Sequence, residues 1–240
     1  IMQERYLGDI HDYFKFLFLK FLSSQLNMKV GLNWYLVNPA EIGPSELKKK
    51  DGEKRKFLYD EELKLYDKVI IQEFKKFQKK QFRNLELFTN ETHLKQHINF
   101  FNEPIKFNYR KKWLERSLYH HRDQQIIFLD PDNGFVINKT GKKSMKYVLA
   151  EDCKTYLQNN KIIIFCQFQS FRKKTFDHLK YIFKNLNDCN VETSLPVIRN
   201  RTGPNTFFIS IKPKQVKFNL DNILEKYSLQ YNKVELINVV

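Results

Sequence analysis

The stretch Phe128-Leu129-Asp130-Pro131-Asp132-Asn133-Gly134-Phe135 joins an apolar run to an acidic turn that contains a proline. Such a run is typical of a buried strand, and the turn follows it where the strands of an open α/β sheet end and ligands bind. Because Pro131 disfavours helical backbone at the residue before it, we expect the Asp130 carboxylate to project past the strand. The same residue types also form ordinary turns, so the stretch fits either a catalytic loop or a simple strand exit.

The rest of the chain alternates between helical and strand patterns. Apolar spacing predicts helices over residues 9–26, 60–83, 110–119, 144–157 and 171–186. Strands are predicted over residues 30–37, 126–129, 162–166, 191–198 and 206–211, with shorter candidates at 85–88 and 98–101. A turn at Gly203-Pro204 joins the last two strands and predicts an antiparallel hairpin. This alternation predicts an α/β fold with a Rossmann-like doubly wound sheet and a terminal antiparallel hairpin.

The length of 240 residues suits a single α/β domain, which we predict to span residues 1–240. Residues 38–83 follow the first strand and combine a polar stretch with a basic amphipathic helix, which predicts a basic helical insertion within that domain. The apolar run at residues 13–22 is interrupted by Lys15 and Lys20 and is shorter than the roughly 20 residues of a membrane-spanning helix. We therefore expect no association with a membrane.

The cysteines and histidines favour a reduced protein without a metal centre. Cys153, Cys166 and Cys189 are odd in number and lack the spacing of metal ligands, which predicts a cytoplasmic location. His93 and His97 are four residues apart, but the glutamate of the metalloprotease pattern is absent.

The net charge of +15, from 42 Lys and Arg against 27 Asp and Glu, favours a polyanionic partner such as RNA or DNA. Lysine supplies 33 of the 42, however, and a codon bias toward A and T would also produce a chain rich in Lys, Asn, Ile and Phe. Clustering of the charge favours nucleic-acid binding over bias alone. The clusters include Lys75, Lys76, Lys79 and Lys80, then Lys142 and Lys143, then Arg172 and Lys173, and a run at residues 48–50.

Motifs at the start, middle and end of the chain resemble one family of enzymes. The opening Gly8-Asp9-Ile10-His11-Asp12-Tyr13-Phe14-Lys15 is similar in spacing to the family's Gly-Asn, Asp and Lys-His pattern, and Asp130-Pro131-Asp132-Asn133 stands where its catalytic Asp-Pro-Pro-Tyr falls. Residues 207–213 and 220–227 are similar to its final strand and helix. The family methylates the 6-amino group of an adenine in bacterial large-subunit ribosomal RNA. It belongs to the Rossmann-like methyltransferases that use S-adenosylmethionine, in which the last strand inserts antiparallel beside its predecessor.

A larger set of bacterial proteins to which no activity is assigned resembles the chain more closely. It shares the Gly-Asp opening, the strand residues Asn33-Trp34-Tyr35 and the turn at residues 130–134. This second resemblance supplies no activity.

The resemblance to the methyltransferases implies an activity and two groups of site residues. It implies a cofactor site for S-adenosylmethionine that includes Gly8, Asp9, Asp12, Lys15 and Asn38. It implies a catalytic turn that includes Asp130, Pro131, Asp132, Asn133 and Phe135. We therefore predict that Lys15 and Asp130 lie in one cleft at the carboxyl ends of the strands that begin at Val30 and Ile126.

The chemistry of methyl transfer to an exocyclic amine explains why Asp130 would matter. Such an amine is a poor nucleophile because its lone pair is delocalised into the ring. Hydrogen bonds to the Asp130 carboxylate and the Pro131 carbonyl would direct that pair toward a sulfonium methyl group. The target base would have to be single-stranded or flipped out.

Two departures from the family leave other functions open. The family's first strand ends in a glycine-rich turn, whereas residues 35–40 contain no glycine. Asn133 replaces the aromatic residue that stacks on the flipped adenine, with Phe135 two positions later. Asp130 and Asp132 could instead hold Mg²⁺ for phosphodiester cleavage, which would make the protein a nuclease on the same fold. A catalytically silent protein that binds nucleic acid or assembles with partners is the third possibility.

Overall fold

The computed structural model describes residue 4 and residues 6–47 and 55–239, without the side chains of Leu47 and Lys80. The predicted basic run at residues 48–50 lies outside the described residues. The described strands are β1 (Val30–Asn33), β2 (Ile98–Phe101), β3 (Ile126–Leu129), β4 (Phe135–Val136), β5 (Val148–Leu149), β6 (Ile162–Phe168), β7 (Val197–Asn200), β8 (Thr206–Ile211) and β9 (Val234–Ile237). The described helices are α1 (Ile10–Leu26), α2 (Pro39–Ile42), α3 (Pro44–Leu47), α4 (Glu61–Tyr66), α5 (Lys68–Lys76), α6 (Leu85–Glu91), α7 (Arg110–His120), α8 (Ala150–Gln158), α9 (Thr175–Asp188) and α10 (Leu220–Ser228).

A seven-stranded sheet in the order β2-β1-β3-β6-β8-β7-β9 forms the centre of the fold. The strands β2, β1, β3 and β6 are parallel, whereas β8 is antiparallel to both of its neighbours, β6 and β7. The strands β4 and β5 form a separate parallel pair. This mixed sheet flanked by helices is a Rossmann-like α/β arrangement, as the alternation of patterns predicts.

The central parallel strands β3 and β6 are almost entirely apolar because helices cover both faces of the sheet. On one face, Leu32, Phe128 and Ile164 belong to a core cluster shared with α1, α5 and α10. On the other face, Ile127 and Ile163 belong to a cluster shared with α7, α8 and α9. The carboxyl ends of β1, β3 and β6 therefore meet at one edge between two helical layers.

Residues 38–83 contribute to the first of these cores. Phe57, Leu63, Ile70 and Phe74 are buried in the same cluster as the apolar side chains of α1. The outward face of this segment is basic, since Lys75, Lys76 and Lys79 are exposed.

The long helix predicted over residues 60–83 consists of shorter pieces. It is divided into α4, α5 and a 3-10 turn at Lys80–Phe82. The division occurs because Asp67 leaves helical geometry and caps α5, where its side chain accepts from the backbone N–H groups of Val69 and Ile70.

Three further predictions of secondary structure are wrong. The strand predicted over residues 191–198 is β7 at Val197–Asn200, which begins directly after Pro196 because proline has no N–H to donate to a neighbouring strand. Residues 85–88 belong to α6, because the Asn84 side chain accepts from the N–H of Leu87 and starts a helix there. Residues 144–157 form a 3-10 turn, β5 and α8, because the chain pairs with β4 before the helix begins.

The predicted terminal hairpin is present as β7 and β8, but it does not form the outer edge of the sheet. After β8 the chain passes through α10 and adds β9 at the outer edge, antiparallel to β7. In the described part of the chain, no helix combines the length and the hydropathy needed to cross a membrane.

Candidate functional site

The motif that begins at Gly8 starts α1 and fixes its first turn. Gly8 has a φ of 75°, a left-handed conformation that favours glycine, and its N–H donates to Oδ2 of Asp12 at 2.8 Å. Asp9 is the N-cap, and its Oδ1 accepts from the N–H groups of His11 and Asp12 at 2.8 and 3.0 Å. These contacts place the next turn of α1, which carries Lys15, over the edge where β1 and β3 end.

Lys15 joins α1 to the turn after β3. Its Nζ lies 2.6 Å from Oδ1 of Asp12 and 2.6 Å from Oδ2 of Asp130. The same ammonium lies 4.4 Å from the centroid of the Trp34 ring, just past the end of β1. The 2.6 Å contact between Lys15 and Asp130 confirms that the two side chains meet at the carboxyl ends of β1 and β3; the cleft itself stays a prediction.

Burial and charge together set the protonation of this cluster. Burial raises the pKa of Asp130 above its ordinary value, and the charge of Lys15 partly offsets that effect. Burial is the main reason that the pKa of Asp9 is raised to about 7, and the negative charge of Asp12 is the second. Burial would lower the pKa of Lys15, but the carboxylates of Asp12 and Asp130 raise it above its ordinary value. Lys15 is therefore a permanent cation among acidic side chains.

The turn after Asp130 is held by backbone and ionic contacts. The N–H of Asp130 donates to the carbonyl of Asn33 at 2.9 Å, and the N–H of Asn133 donates to the carbonyl of Lys146 at 2.9 Å. The ammonium of Lys146 lies 3.7 Å from Asp132 and 3.1 Å from Glu46, a residue of α3. The start of the segment 38–83 is therefore tied to the turn through a buried lysine.

Gly134 is required by its contact with β6. It has a φ of 79°, and a Cβ atom there would lie 2.0 Å from Oε1 of Gln167. That same oxygen accepts from the N–H of Phe135 at 2.9 Å. Phe135 itself is 8 % exposed and packs against Phe165 with ring centroids 5.7 Å apart. The Phe135 ring is part of the core, so it offers no open face for stacking on a base.

A buried polar network beneath the turn is not anticipated by the sequence analysis. Asn33 is fully buried, and its Nδ2 donates to Ser117 Oγ at 2.9 Å and to Tyr156 Oη at 3.0 Å. Its Oδ1 accepts from the N–H of Tyr35 at 3.1 Å. An asparagine within an apolar strand is the signal that could have indicated it, since buried amides require partners.

The turn after β1 adopts left-handed backbone without a glycine. Tyr35 has a φ of 49°, and its ring is buried against Trp113 at a centroid distance of 4.9 Å. Its hydroxyl donates to Oδ2 of Asp152 at 3.1 Å. The tyrosine side chain thus points into the second core, away from α1.

Other predicted site residues lie apart from Lys15. Asn38 is exposed and caps α2, where its side chain accepts from the N–H of Ala40 at 3.1 Å. Lys142 and Lys143 line a surface cavity of about 660 Å³ in the segment that leads to Lys146. The exposed lysines of α5 have no described contact with the Asp130 turn. Arg172 and Lys173 are exposed in the loop after β6.

An acidic residue at the end of β2 is a further candidate that the sequence analysis missed. Glu103 lines a surface cavity of about 500 Å³ with Pro104, Lys106, Tyr109 and Arg116. Its Oε2 accepts from Nε of Arg116 at 2.5 Å. In Rossmann-like folds a carboxylate near this position can bind ribose hydroxyls. Glu103 follows β2, the strand after β1, and an acidic residue at that position in the sequence is the signal that could have identified it.

The acidic residues of the site do not form a metal centre. Among the described residues, no group of three or more His, Cys, Asp and Glu side chains could hold a metal ion. The Lys15 ammonium lies between Asp12 and Asp130, and the Lys146 ammonium faces Asp132. The carboxylates that could bind a cation are thus already paired with lysines.

Comparison with known proteins adds no family name to this geometry. The chain matches no protein family, and no curated protein matches it.

Proposed function

We propose that the protein is a methyltransferase that transfers a methyl group from S-adenosylmethionine to an exocyclic amine of a nucleic-acid base. The observation that carries the proposal is the position of Asp130, at the carboxyl end of β3 and in contact with Lys15 of α1. The resemblance implies this pairing of the opening motif with the catalytic turn. The antiparallel insertion of β8 between β6 and β7 also supports the proposal, with the difference that β9 follows as a further strand in this chain.

Asp130 would orient the target amine. Lys15 binds only Oδ2 of Asp130, and the Asp130 side chain keeps 17 % of its exposure, so the carboxylate is held in place but remains accessible. The amine would donate to this carboxylate and to the Pro131 carbonyl, which localises its lone pair for attack on the methyl carbon. The nitrogen would gain the methyl group as the carbon–sulfur bond breaks, and it would then lose one proton to water. Lys15 and Asp12 act as positioning residues in this mechanism, because their polar contacts lie within the protein.

The cofactor supplies an electrophilic methyl group on a sulfonium. The residues that fit its nucleoside part are at the end of β2, where the Glu103 carboxylate would accept from ribose hydroxyls. Gly8, Asp9 and Asp12 have internal partners for their polar groups, which favours a supporting role for them over direct contact with the cofactor.

A magnesium-dependent nuclease is the weaker alternative. It needs anionic ligands that are free for the ion, and Lys15 and Lys146 compete for Asp130 and Asp132. A catalytically silent binding protein predicts neither methyl transfer nor cleavage.

The test incubates wild type and Asp130→Asn with labelled S-adenosylmethionine and mixed single-stranded RNA and DNA, and separately with Mg²⁺ alone. The proposal predicts methyl incorporation by wild type and at least a tenfold loss in the variant, since Asn keeps one acceptor oxygen but loses the charge. Asp123→Asn is the matched control, because Asp123 is exposed at the opposite edge of the sheet. Cleavage with Mg²⁺ alone, or no methyl transfer by wild type while calorimetry detects no binding of S-adenosylmethionine, would contradict the proposal.

A further inference from the structure

The loop after β6 presents an exposed phenylalanine among cations. Phe171 is 90 % exposed, the highest value among the exposed large apolar side chains of the described residues. The three residues that follow it, Arg172, Lys173 and Lys174, are exposed as well. Water contact with so much aromatic surface is unfavourable and has no packing benefit within this chain.

The base of this loop is fixed although its tip is exposed. The N–H of Gln169 donates to the carbonyl of Asn205 at 2.9 Å, and the Asn205 amide donates to Oε1 of Gln169 at 2.7 Å. The N–H of Ser170 donates to Nδ1 of His178 at 3.1 Å. Phe171 is therefore displayed from a constrained base, which limits the conformational entropy lost when a partner binds.

Two more exposed aromatic residues lie on the helix that follows, α9. Phe176 and Tyr181 are each more than half exposed, and Nζ of Lys173 lies 3.7 Å from the centroid of the Tyr181 ring. We call the group Phe171, Arg172, Lys173, Lys174, Phe176 and Tyr181 the Phe171 surface. It combines three exposed rings with three positive charges.

The Phe171 surface adjoins the candidate site. It follows β6, whose Gln167 binds the N–H of Phe135 in the Asp130 turn. Phe168, at the end of the same strand, packs against His11 of α1 with ring centroids 5.1 Å apart. The Phe171 surface therefore follows a strand that ends at the same edge of the sheet as the Asp130 turn.

We propose that the Phe171 surface binds single-stranded nucleic acid, with Phe171 stacked on an unpaired base and the adjacent cations on phosphates. Aromatic rings and a basic groove are the combination that binds single strands without sequence preference. A duplex offers no free base faces to a ring, and the centres of protein interfaces are depleted of lysine. The inference rests on the proposed function only in taking nucleic acid as the substrate.

The test measures binding of labelled single-stranded RNA and DNA, about 16 nucleotides long, and of a duplex of the same length, by fluorescence anisotropy without a methyl donor. Phe171→Ala should weaken single-strand binding about fivefold or more, whereas Phe171→Trp should retain it. Lys173→Ala with Lys174→Ala should reduce the dependence of affinity on salt concentration.

A matched control is available at the other edge of the sheet. Tyr119 is 72 % exposed and has the Arg122 guanidinium 4.9 Å from its ring centroid, so Tyr119→Ala should leave binding unchanged. The inference is overturned if wild type binds no single strand, if Phe171→Ala binds like wild type, or if the variant loses duplex binding equally. Methyl transfer by wild type with unchanged binding by Phe171→Ala would reject this inference and leave the proposed function standing.

Discussion

Lys15 and Asp130 are 115 residues apart in the chain, and their side chains meet at 2.6 Å. The contact connects the first turns of α1 to the end of β3 with a charge that is 3 % exposed. Because Asp12 shares the same ammonium, the loss of Lys15 would leave two carboxylates close together without a counter-charge.

We predict that Lys15→Met lowers the free energy of unfolding by about 3–5 kcal/mol, because removing one partner leaves buried charge uncompensated. Urea denaturation measures this. The double variant Lys15→Met with Asp130→Asn should recover part of the loss, and Lys184→Met, at an exposed position of α9, should have little effect. A loss below about 1 kcal/mol for Lys15→Met would mean that the pair behaves like a surface salt bridge.

The raised pKa of Asp9 predicts a pH dependence of stability. Its folded pKa of about 7 lies above the unfolded value of about 4, so between these values the folded state keeps a proton that the unfolded state has lost. The free energy of unfolding should therefore fall as the pH rises from about 4 to about 7 and be level above that. Asp9→Asn should flatten this slope while still capping α1, and Asp60→Asn controls for the loss of a capping carboxylate at α4. An unchanged slope in Asp9→Asn, measured by denaturation at several pH values, would assign the effect to other groups.

Gly134→Ala should destabilise the protein by about 2 kcal/mol or more, because the added methyl group collides with Gln167 in a left-handed turn. Gly141→Ala is a matched control, since Gly141 has a φ of 72° but no atom within 4 Å of an added Cβ. Gly141→Ala should lower the free energy of unfolding by the backbone strain alone, about 1 kcal/mol. Thermal unfolding of the two variants separates the collision from the strain, and equal losses would exclude the collision.

Tyr156→Phe should lower the free energy of unfolding by about 1–2 kcal/mol, because it removes an acceptor from the buried amide of Asn33. Ser117→Ala should act on the same amide, so the two losses should not add. Tyr119→Phe, at an exposed position, should be neutral. Fully additive losses in the double variant would show that the network is not cooperative.

Local patterns predict some elements at the bounds that the structure has. Three such strands are mainly apolar runs bounded by turn residues, so their length and burial can be predicted from adjacent residues. They are Ile98–Phe101, Ile126–Leu129 and Thr206–Ile211. The proximity of Lys15 to Asp130 is also predictable, but from the resemblance of the opening motif and the Asp130 turn to the methyltransferase motifs and not from a local pattern, because Lys15 lies on a helix.

Elements that depend on distant partners are not predictable in this way. The burial of Phe135 depends on Phe165, which lies on another strand, and the Asn33 network depends on side chains of α7 and α8. β9 is a short strand whose place in the sheet is set by its pairing with β7. These features depend on interactions with residues that are far away in the chain. The local spacing of apolar residues carries no information about such interactions.

The order of β6, β8 and β7 in the sheet has a consequence for synthesis of the chain. The ribosome makes β7 before β8, yet β8 occupies the place beside β6. Until Thr206–Ile211 has emerged from the ribosome, one edge of the strand Ile162–Phe168 has no partner. Another strand, such as β7 or a strand of a second chain, could then pair with that edge. A nascent chain that pauses before residue 206 would therefore be prone to mispairing and aggregation at this edge.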